Sequence, residues 1–231
     1  MGRDIKSMSN SVIQRLPRYL VYIQRLKRND IQWISSSELA EALGLTPSTV
    51  RQDLSYIELA GISKKGYKIE LMESALSKVL GINHEQKIII IGAGNLGKAL
   101  AMHRGFAAYN FTIEGIFDNN PELIGLKIGM LEVKPISQLK DFIKNNFISM
   151  GVIAVPQTSA QEVANQLIEA GVCGILNLTS ANLNLPPKIA IVNTRISASL
   201  LEVACFMNVA KGECYNFNIA CEQSNIVLSD S

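Results

Sequence analysis

The residues best placed to do chemistry are Gly92-Ala93-Gly94-Asn95-Leu96-Gly97, which follow the apolar run Ile88 to Ile91 without a break. A strand feeding directly into G-x-G-x-x-G offers backbone amides to a pyrophosphate. Gly92 allows the tight turn, Gly94 lets the backbone approach the phosphates, and Gly97 permits close helix–strand packing. The helix that begins there, through Lys98-Ala99-Leu100-Ala101, points its positive dipole end at the anion. A second apolar run, Phe111 to Phe117, ends in Asp118, where a carboxylate can hydrogen-bond an adenosine ribose and repel a 2′-phosphate. A third, Gly151 to Val155, places Val155-Pro156 at the carboxyl end of a strand, so that their backbone is expected to face the cofactor. The pattern predicts a site for NAD⁺ or NADH built mostly from backbone.

A second set of polar side chains lies upstream. Ser35 with Glu38 fits a capping box that opens a short helix, Glu38 to Leu43, closed by Gly44. Thr46 can cap the next helix with Pro47 in its first position, and Val50, Leu54, Ile57 and Leu59 give that helix an apolar face. Its outward face shows Ser48, Thr49, Arg51, Gln52 and Ser55, side chains that reach base edges and phosphates in the major groove. Helix, short turn and helix make a helix-turn-helix. Behind it, residues 61–69 read as a tight hairpin whose Lys64, Lys65 and Tyr67 form a wing able to touch phosphates or the minor groove.

These two sets need separate scaffolds. Val12, Leu16, Leu20, Ile23 and Leu26 predict an amphipathic helix over 10–28 with a local kink at Pro17. A short helix over 72–80 and a linker, Gly81-Ile82-Asn83-His84, complete an N-terminal domain of residues 1–80. From 81 to 211 strands and helices alternate: a strand Ile128 to Val133, a helix Ser137 to Lys144, the strand Gly151 to Val155, a helix Ser159 to Glu169 and a strand Gly174 to Leu178. That alternation gives an α/β fold, a doubly wound parallel sheet covered on both faces. A final helix, Ser197 to Val209, is apolar on much of its surface and is expected to be buried against its own domain or a partner. Residues 212–231 form a tail of unknown role.

Charge follows the same division. Residues 1–80 hold twelve Lys and Arg against eight Asp and Glu, whereas residues 81–231 hold ten against twelve. A basic head on a mildly acidic body suits nucleic-acid binding joined to small-molecule binding. No stretch reaches the ~18 uninterrupted apolar residues of a membrane span, and the N-terminus lacks the apolar core of a signal peptide, so a cytoplasmic protein is expected. Cys173, Cys205, Cys214 and Cys221 include no C-x-x-C pair, and with His84 and His103 they make no zinc spacing. They read as buried or idle thiols.

Taken together, the residues resemble the Rex family of redox-sensing transcriptional repressors over about residues 10–210. The matching stretches include Gln14-Arg15-Leu16-Pro17 with Tyr19 and Leu20, Ser35-Ser36-Ser37-Glu38-Leu39-Ala40 and Val50-Arg51-Gln52-Asp53-Leu54-Ser55-Tyr56 in the head. In the body they include the glycine loop, Phe117-Asp118 with Pro121, Ala154-Val155-Pro156 with Ala160-Gln161-Glu162, and Gly174-Ile175-Leu176-Asn177. The resemblance implies a winged-helix head, a Rossmann body, and a homodimer whose last helix crosses to the partner. It also implies that NAD⁺ and NADH compete for one site and that NADH releases the protein from double-stranded operator DNA. Three positions bear on that switch. Where the family has a tyrosine in the first Rossmann helix this chain has His103, and where it has an aspartate before the last helix this chain has Arg195. The resemblance links that tyrosine and aspartate with a head arginine matched by Arg15, so Arg15 and Arg195 are expected to repel rather than pair. The first reading is a dimeric, NAD(H)-responsive repressor rather than an enzyme. The alternatives are an oxidoreductase with a regulatory head, a DNA-binding protein whose body only dimerises, and a repressor with a weakened redox response.

Overall fold

The computed structural model describes residues 8–209, and Cys214, Cys221 and the tail from 212 lie outside them. Two compact units are present. The first holds the described residues up to Gln86 together with Arg104–Thr112; the second holds Lys87–His103 and the described residues from Ile113 onward.

In the first unit α1 (Asn10–Arg28) buries Val12, Leu16, Tyr19, Leu20 and Ile23. It runs through Pro17, whose ring is on the exposed face. Strand β1 (Trp33–Ile34) follows, then α2 (Ser36–Leu43), opened by a full capping box. Glu38 N donates to Ser35 Oγ at 3.1 Å and Ser35 N donates to Glu38 Oε2 at 2.8 Å. Gly44 ends α2 in the left-handed region at φ +66, which costs an L side chain about 1 kcal/mol or more. Helix α3 (Pro47–Tyr56) starts at the Thr46 cap.

The wing departs from a simple hairpin. Only Ile62 and Gly66 bridge at its tip, and its outgoing strand β2 (Tyr67–Lys68) pairs antiparallel with β1 instead, Trp33 opposite Lys68 and Ile34 opposite Tyr67. Two-residue strands carry no period that a sequence could reveal. Helix α4 (Ile69–Val79) begins three residues before the expected 72, because β2 runs straight into it and Ile69 is buried. The core joins α1, α2, α3 and α4 through Leu16, Ile23, Leu39, Leu54, Met72 and Leu76, each at most 2 % exposed. Each such side chain contributes about 1.5–3 kcal/mol of transfer free energy. The expected linker at 81–84 is fastened down: Ile82 is buried and its carbonyl accepts from Asn110 Nδ2 at 2.6 Å. Tyr109 and Phe111 pack against this core.

The second unit contains β3 (Gln86–Ile91) from Lys87 on, α5 (Asn95–Ala101), β4 (Phe111–Asp118) from Ile113 on, β5 (Lys127–Ile128), β6 (Leu131–Pro135), α6 (Leu139–Asn146), β7 (Met150–Ile153), α7 (Ala160–Glu169), β8 (Gly174–Asn177), β9 (Ala190–Asn193) and α8 over residues 196–209. The sheet order is β5-β6-β4-β3-β7-β8-β9. Strand β7 runs parallel to β3 and β8, β4 to β6 and β8 to β9, while β5 is antiparallel. The chain moves outward from β3 through β4 to β6 and then returns to the other side of β3 with β7. That reversal puts the carboxyl ends of β3 and β7 at a topological switch point, where such sheets bind ligands.

Two local expectations are corrected here. The strand expected over Ile128 to Val133 is a hairpin, broken at Gly129 (φ +61) and Met130, and Met130 is fully exposed at its tip. Strand β9 went unforeseen because only Ile191 of its four residues is even half-buried.

Candidate functional site

The glycine loop leaves β3 with Gly92 at φ +107. Gly92 N donates to Phe117 O at 2.8 Å, and Ala154 N donates to Ile91 O at 2.8 Å, so the ends of β4, β3 and β7 are stitched together. A Cβ on Gly92 would collide with the Ala154 carbonyl, and one on Gly97 would overlap the Gly92 carbonyl. Both positions therefore exclude every residue but glycine on packing grounds. Gly94 differs: its φ is −71, and a Cβ there would meet nothing within 4 Å. The missing atom leaves a cradle over the exposed residues Gly94, Asn95 and Leu96. No side chain caps the helix that follows, so its first amides are available to an external acceptor. The residues present fit a dinucleotide pyrophosphate.

Asp118 stands at the end of β4, partly buried, with Oδ2 accepting from Ala93 N at 2.6 Å and Oδ1 accepting from Asn120 N at 2.8 Å. The carboxylate thus ties the loop to its own strand, and the fully buried Ala93 spends its amide there rather than on a phosphate. Across the switch point the strand ends earlier than expected, at Ile153, leaving Val155 half-buried and Pro156 exposed beyond it.

In the head, α3 turns Ser48, Arg51, Gln52 and Ser55 outward, with Thr49 half-buried. Thr46 Oγ1 caps Thr49 N at 3.2 Å and shares hydrogen bonds of 2.8 Å with the Ser48 and Thr49 hydroxyls. Arg51 Nη1 donates to Ser36 Oγ at 3.1 Å, which extends the guanidinium along the start of α2. Ser55 is turned back onto the Gln52 carbonyl at 2.7 Å. On the wing, Lys64 is exposed at φ +63, and the Lys65 ammonium lies 4.2 Å from the centre of the Trp33 ring. Tyr67 is corrected from a DNA-facing to a supporting residue: it points inward from β2 and is 8 % exposed, and burial raises its phenol pKa.

Sequence reasoning missed Asp53. It is 1 % exposed on the inner face of α3, and it accepts from Arg15 Nε at 2.6 Å, Arg15 Nη2 at 2.8 Å and Tyr19 OH at 2.6 Å. Burial and the adjacent Asp53 push the Tyr19 phenol well above its ordinary pKa, and the bond to Asp53 raises that of Arg15. A signal was present, since Asp53 falls between Val50 and Ile57 on the apolar stripe, where a charge demands a partner.

Residues 83–181 match the family described as CoA binding domain, and residues 7–55 match the putative DNA-binding protein N-terminus. The chain is 40% identical over 203 residues to the redox-sensing transcriptional repressor Rex of Clostridium perfringens strain SM101, covering 88% of this chain and 96% of that protein. It is 41% identical to the Rex of Clostridium botulinum strain Hall over the same share of this chain and 97% of that protein. This chain belongs to the Rex family of redox-sensing transcriptional repressors. Among solved structures, RSP, a Rex-family repressor, superposes with a TM-score of 0.81 in complex with NADH, at 39% identity over 91% of this chain and 98% of RSP. In complex with NAD⁺ and operator DNA the TM-score is 0.82, at 38% identity over 92% and 97%.

Two positions, His103 and Arg195, depart from the Rex pattern, and Arg15 keeps it. Arg15 is spent on Asp53 inside the head, so its charge is compensated rather than left to repel another arginine. His103 is exposed and lies past the end of α5, not within it as the sequence suggested, because the helix closes at Ala101 with Met102 as its cap. Arg195 is also exposed. Its carbonyl accepts the first amides of α8, from Ala198 at 3.1 Å and Ser199 at 3.3 Å, and its guanidinium bonds Asn182 Oδ1. An aspartate at this position would cap α8; an arginine puts a positive charge at the positive end of the helix. Cys173 and Cys205 are free and exposed, not buried. Among the described residues no helix is long and apolar enough to cross a membrane, and no cluster of three or more His, Cys, Asp or Glu could hold a metal.

Proposed function

We propose that this chain is a transcriptional repressor that binds double-stranded operator DNA as a homodimer, with an affinity set by the NADH/NAD⁺ balance. The observation that carries the reading is that one chain holds both an intact glycine loop at a switch point, with Asp118 beside it, and a capped helix presenting Arg51 and Gln52. The family supports it: relatives are named redox-sensing repressors, and RSP was crystallised with NADH and with NAD⁺ and operator DNA. Residues 1–80 form the DNA-binding head in this reading, and 81–211 the nucleotide-binding and dimerising body.

The amides of Gly94, Asn95, Leu96 and Gly97 hold the pyrophosphate. Asp118 takes the adenosine ribose and disfavours a 2′-phosphate, and the backbone of Val155 and Pro156 faces the ligand. A bound nicotinamide supplies the redox signal, being a cation when oxidised and neutral when reduced. Thr46, Ser48, Thr49, Arg51, Gln52 and Ser55 meet the major groove, with Lys64 and Lys65 on phosphates. Helix α8 exposes Ile196, Leu200, Leu201, Phe206 and Met207 by 56–72 %. That much apolar surface on one helix suits burial in a partner subunit. The test is anisotropy of a labelled duplex carrying the RSP operator, with saturating NAD⁺ or NADH. Tight binding with NAD⁺ and release with NADH is expected; no nucleotide effect and no NADH binding overturns the reading.

A second reading, a repressor with a muted redox response, is favoured by the partners Arg15 and Arg195 have in their own units. The same titration separates the two by the ratio of operator Kd values with the two nucleotides.

A further inference from the structure

The cluster around Asp53 is an odd way to build a small core. Val50 and Leu54 flank it at full burial, and an apolar residue at 53 would pack with them at no desolvation cost. Replacing a buried ion pair by apolar residues of similar size is often neutral or stabilising, so the pair is weak evidence for stability. What it supplies is direction. A hydrophobic face tolerates rotation and sliding of a helix by fractions of a turn, because the attraction is non-directional. A carboxylate held by a bidentate guanidinium and a phenol accepts one arrangement, since both Arg15 bonds form only when the two planes align. Arg15 and Tyr19 lie one turn apart on α1, so Asp53 locks the inner face of α3 to a single stretch of α1. On the outer face, Arg51 and Gln52 immediately precede Asp53 in the chain. Any rotation of α3 that breaks the lock also re-aims them.

We infer that Arg15, Tyr19 and Asp53 are positioning residues that fix the rotation of α3 and thereby set base-sequence discrimination, rather than head stability. This rests on the repressor reading above. The test compares Kd for a duplex carrying the RSP operator with that for a scrambled duplex of equal length and composition, in the full chain with NAD⁺. Three proteins are matched by thermal unfolding: wild type, the apolar replacement Arg15→Met/Tyr19→Phe/Asp53→Leu, and the core control Ile23→Val. The milder Tyr19→Phe is added, so that a measurement survives if the triple variant does not fold. The triple variant is expected to lose discrimination by about tenfold or more, the worth of one aligned base contact, while non-specific affinity is unchanged. Tyr19→Phe should lose a smaller part, and Ile23→Val none. A folded triple variant or Tyr19→Phe with wild-type discrimination overturns the proposal, as does an equal loss in Ile23→Val. A wild type that cannot tell the two duplexes apart overturns the repressor reading itself, and the proposal with it.

Discussion

The glycine loop and the recognition helix solve the same problem, holding groups ready for a phosphate-bearing partner, in opposite ways. The loop does it by subtraction. Gly92 and Gly97 are glycine because a carbonyl already occupies the place of their Cβ, and Gly94 because the space above it is kept open. Its donors are backbone amides whose directions are fixed by the sheet. The recognition helix works by addition: long side chains aim outward, and a buried carboxylate 38 residues from its guanidinium partner holds the helix beneath them. A backbone site is pre-organised once the fold forms, whereas a side-chain site also needs its platform oriented. The loop should therefore fail abruptly and the helix by degrees.

The largest effect is expected at the loop. Gly97→Ala or Gly92→Ala forces backbone apart and should destabilise the body by about 3 kcal/mol or more, with NADH binding lost. Gly94→Ala is the contrast: unfolding without ligand should stay within about 1 kcal/mol of wild type, while NADH affinity falls at least about tenfold. Thermal unfolding and a fluorescence titration with NADH check both. Equal behaviour of the three variants would dissolve the distinction between packing and ligand-facing glycines.

In the head, Arg51→Ala should cost about 1–3 kcal/mol of operator affinity and relax specificity, whereas Lys65→Ala should weaken all duplexes alike and lower the salt slope by about one. Because Lys65 rests on Trp33, a Lys65→Ala variant with an unchanged salt slope would assign that ammonium to wing folding instead of DNA.

Smaller is the effect at the start of α8. Arg195→Asp supplies an N-cap and removes a charge opposed to the helix dipole, which should stabilise that helix by about 1 kcal/mol. Combined with His103→Tyr it should also enlarge the ratio of operator Kd with NADH to that with NAD⁺. A raised melting temperature with no change in that ratio would show a structural consequence only.

The smallest is pH-dependent. The Ser35 hydroxyl and amide hold the Glu38 carboxyl below its ordinary pKa. Its contribution is therefore present above about pH 4.5, the unfolded value, and lost as pH falls through the lower folded one. Ser35→Ala should cost about 1 kcal/mol at neutral pH, with the difference from wild type shrinking in acid. A constant difference from pH 7 to 3 would assign the effect to the hydroxyl alone.

What was legible in the sequence was whatever is local. The capping box, the αL glycine closing α2, the glycine loop and the apolar β3 and β4 each depend on neighbours within a few residues, and each stands where its spacing placed it. The family, too, could be read from collinear motifs. Tertiary structure decided the rest. Nothing near Tyr67 says that a two-residue strand at Trp33 will turn it inward. Nothing near residues 104–112 says that they belong with the head. Asp53 carries the same lesson in a single side chain. The sequence put a charge on an apolar stripe, and burial there required a partner, but only the packing of α1 on α3 decided that the partner would be Arg15. Short-range geometry is written in backbone preferences and hydrogen-bond reach. Long-range pairing depends on which surfaces the whole chain brings together.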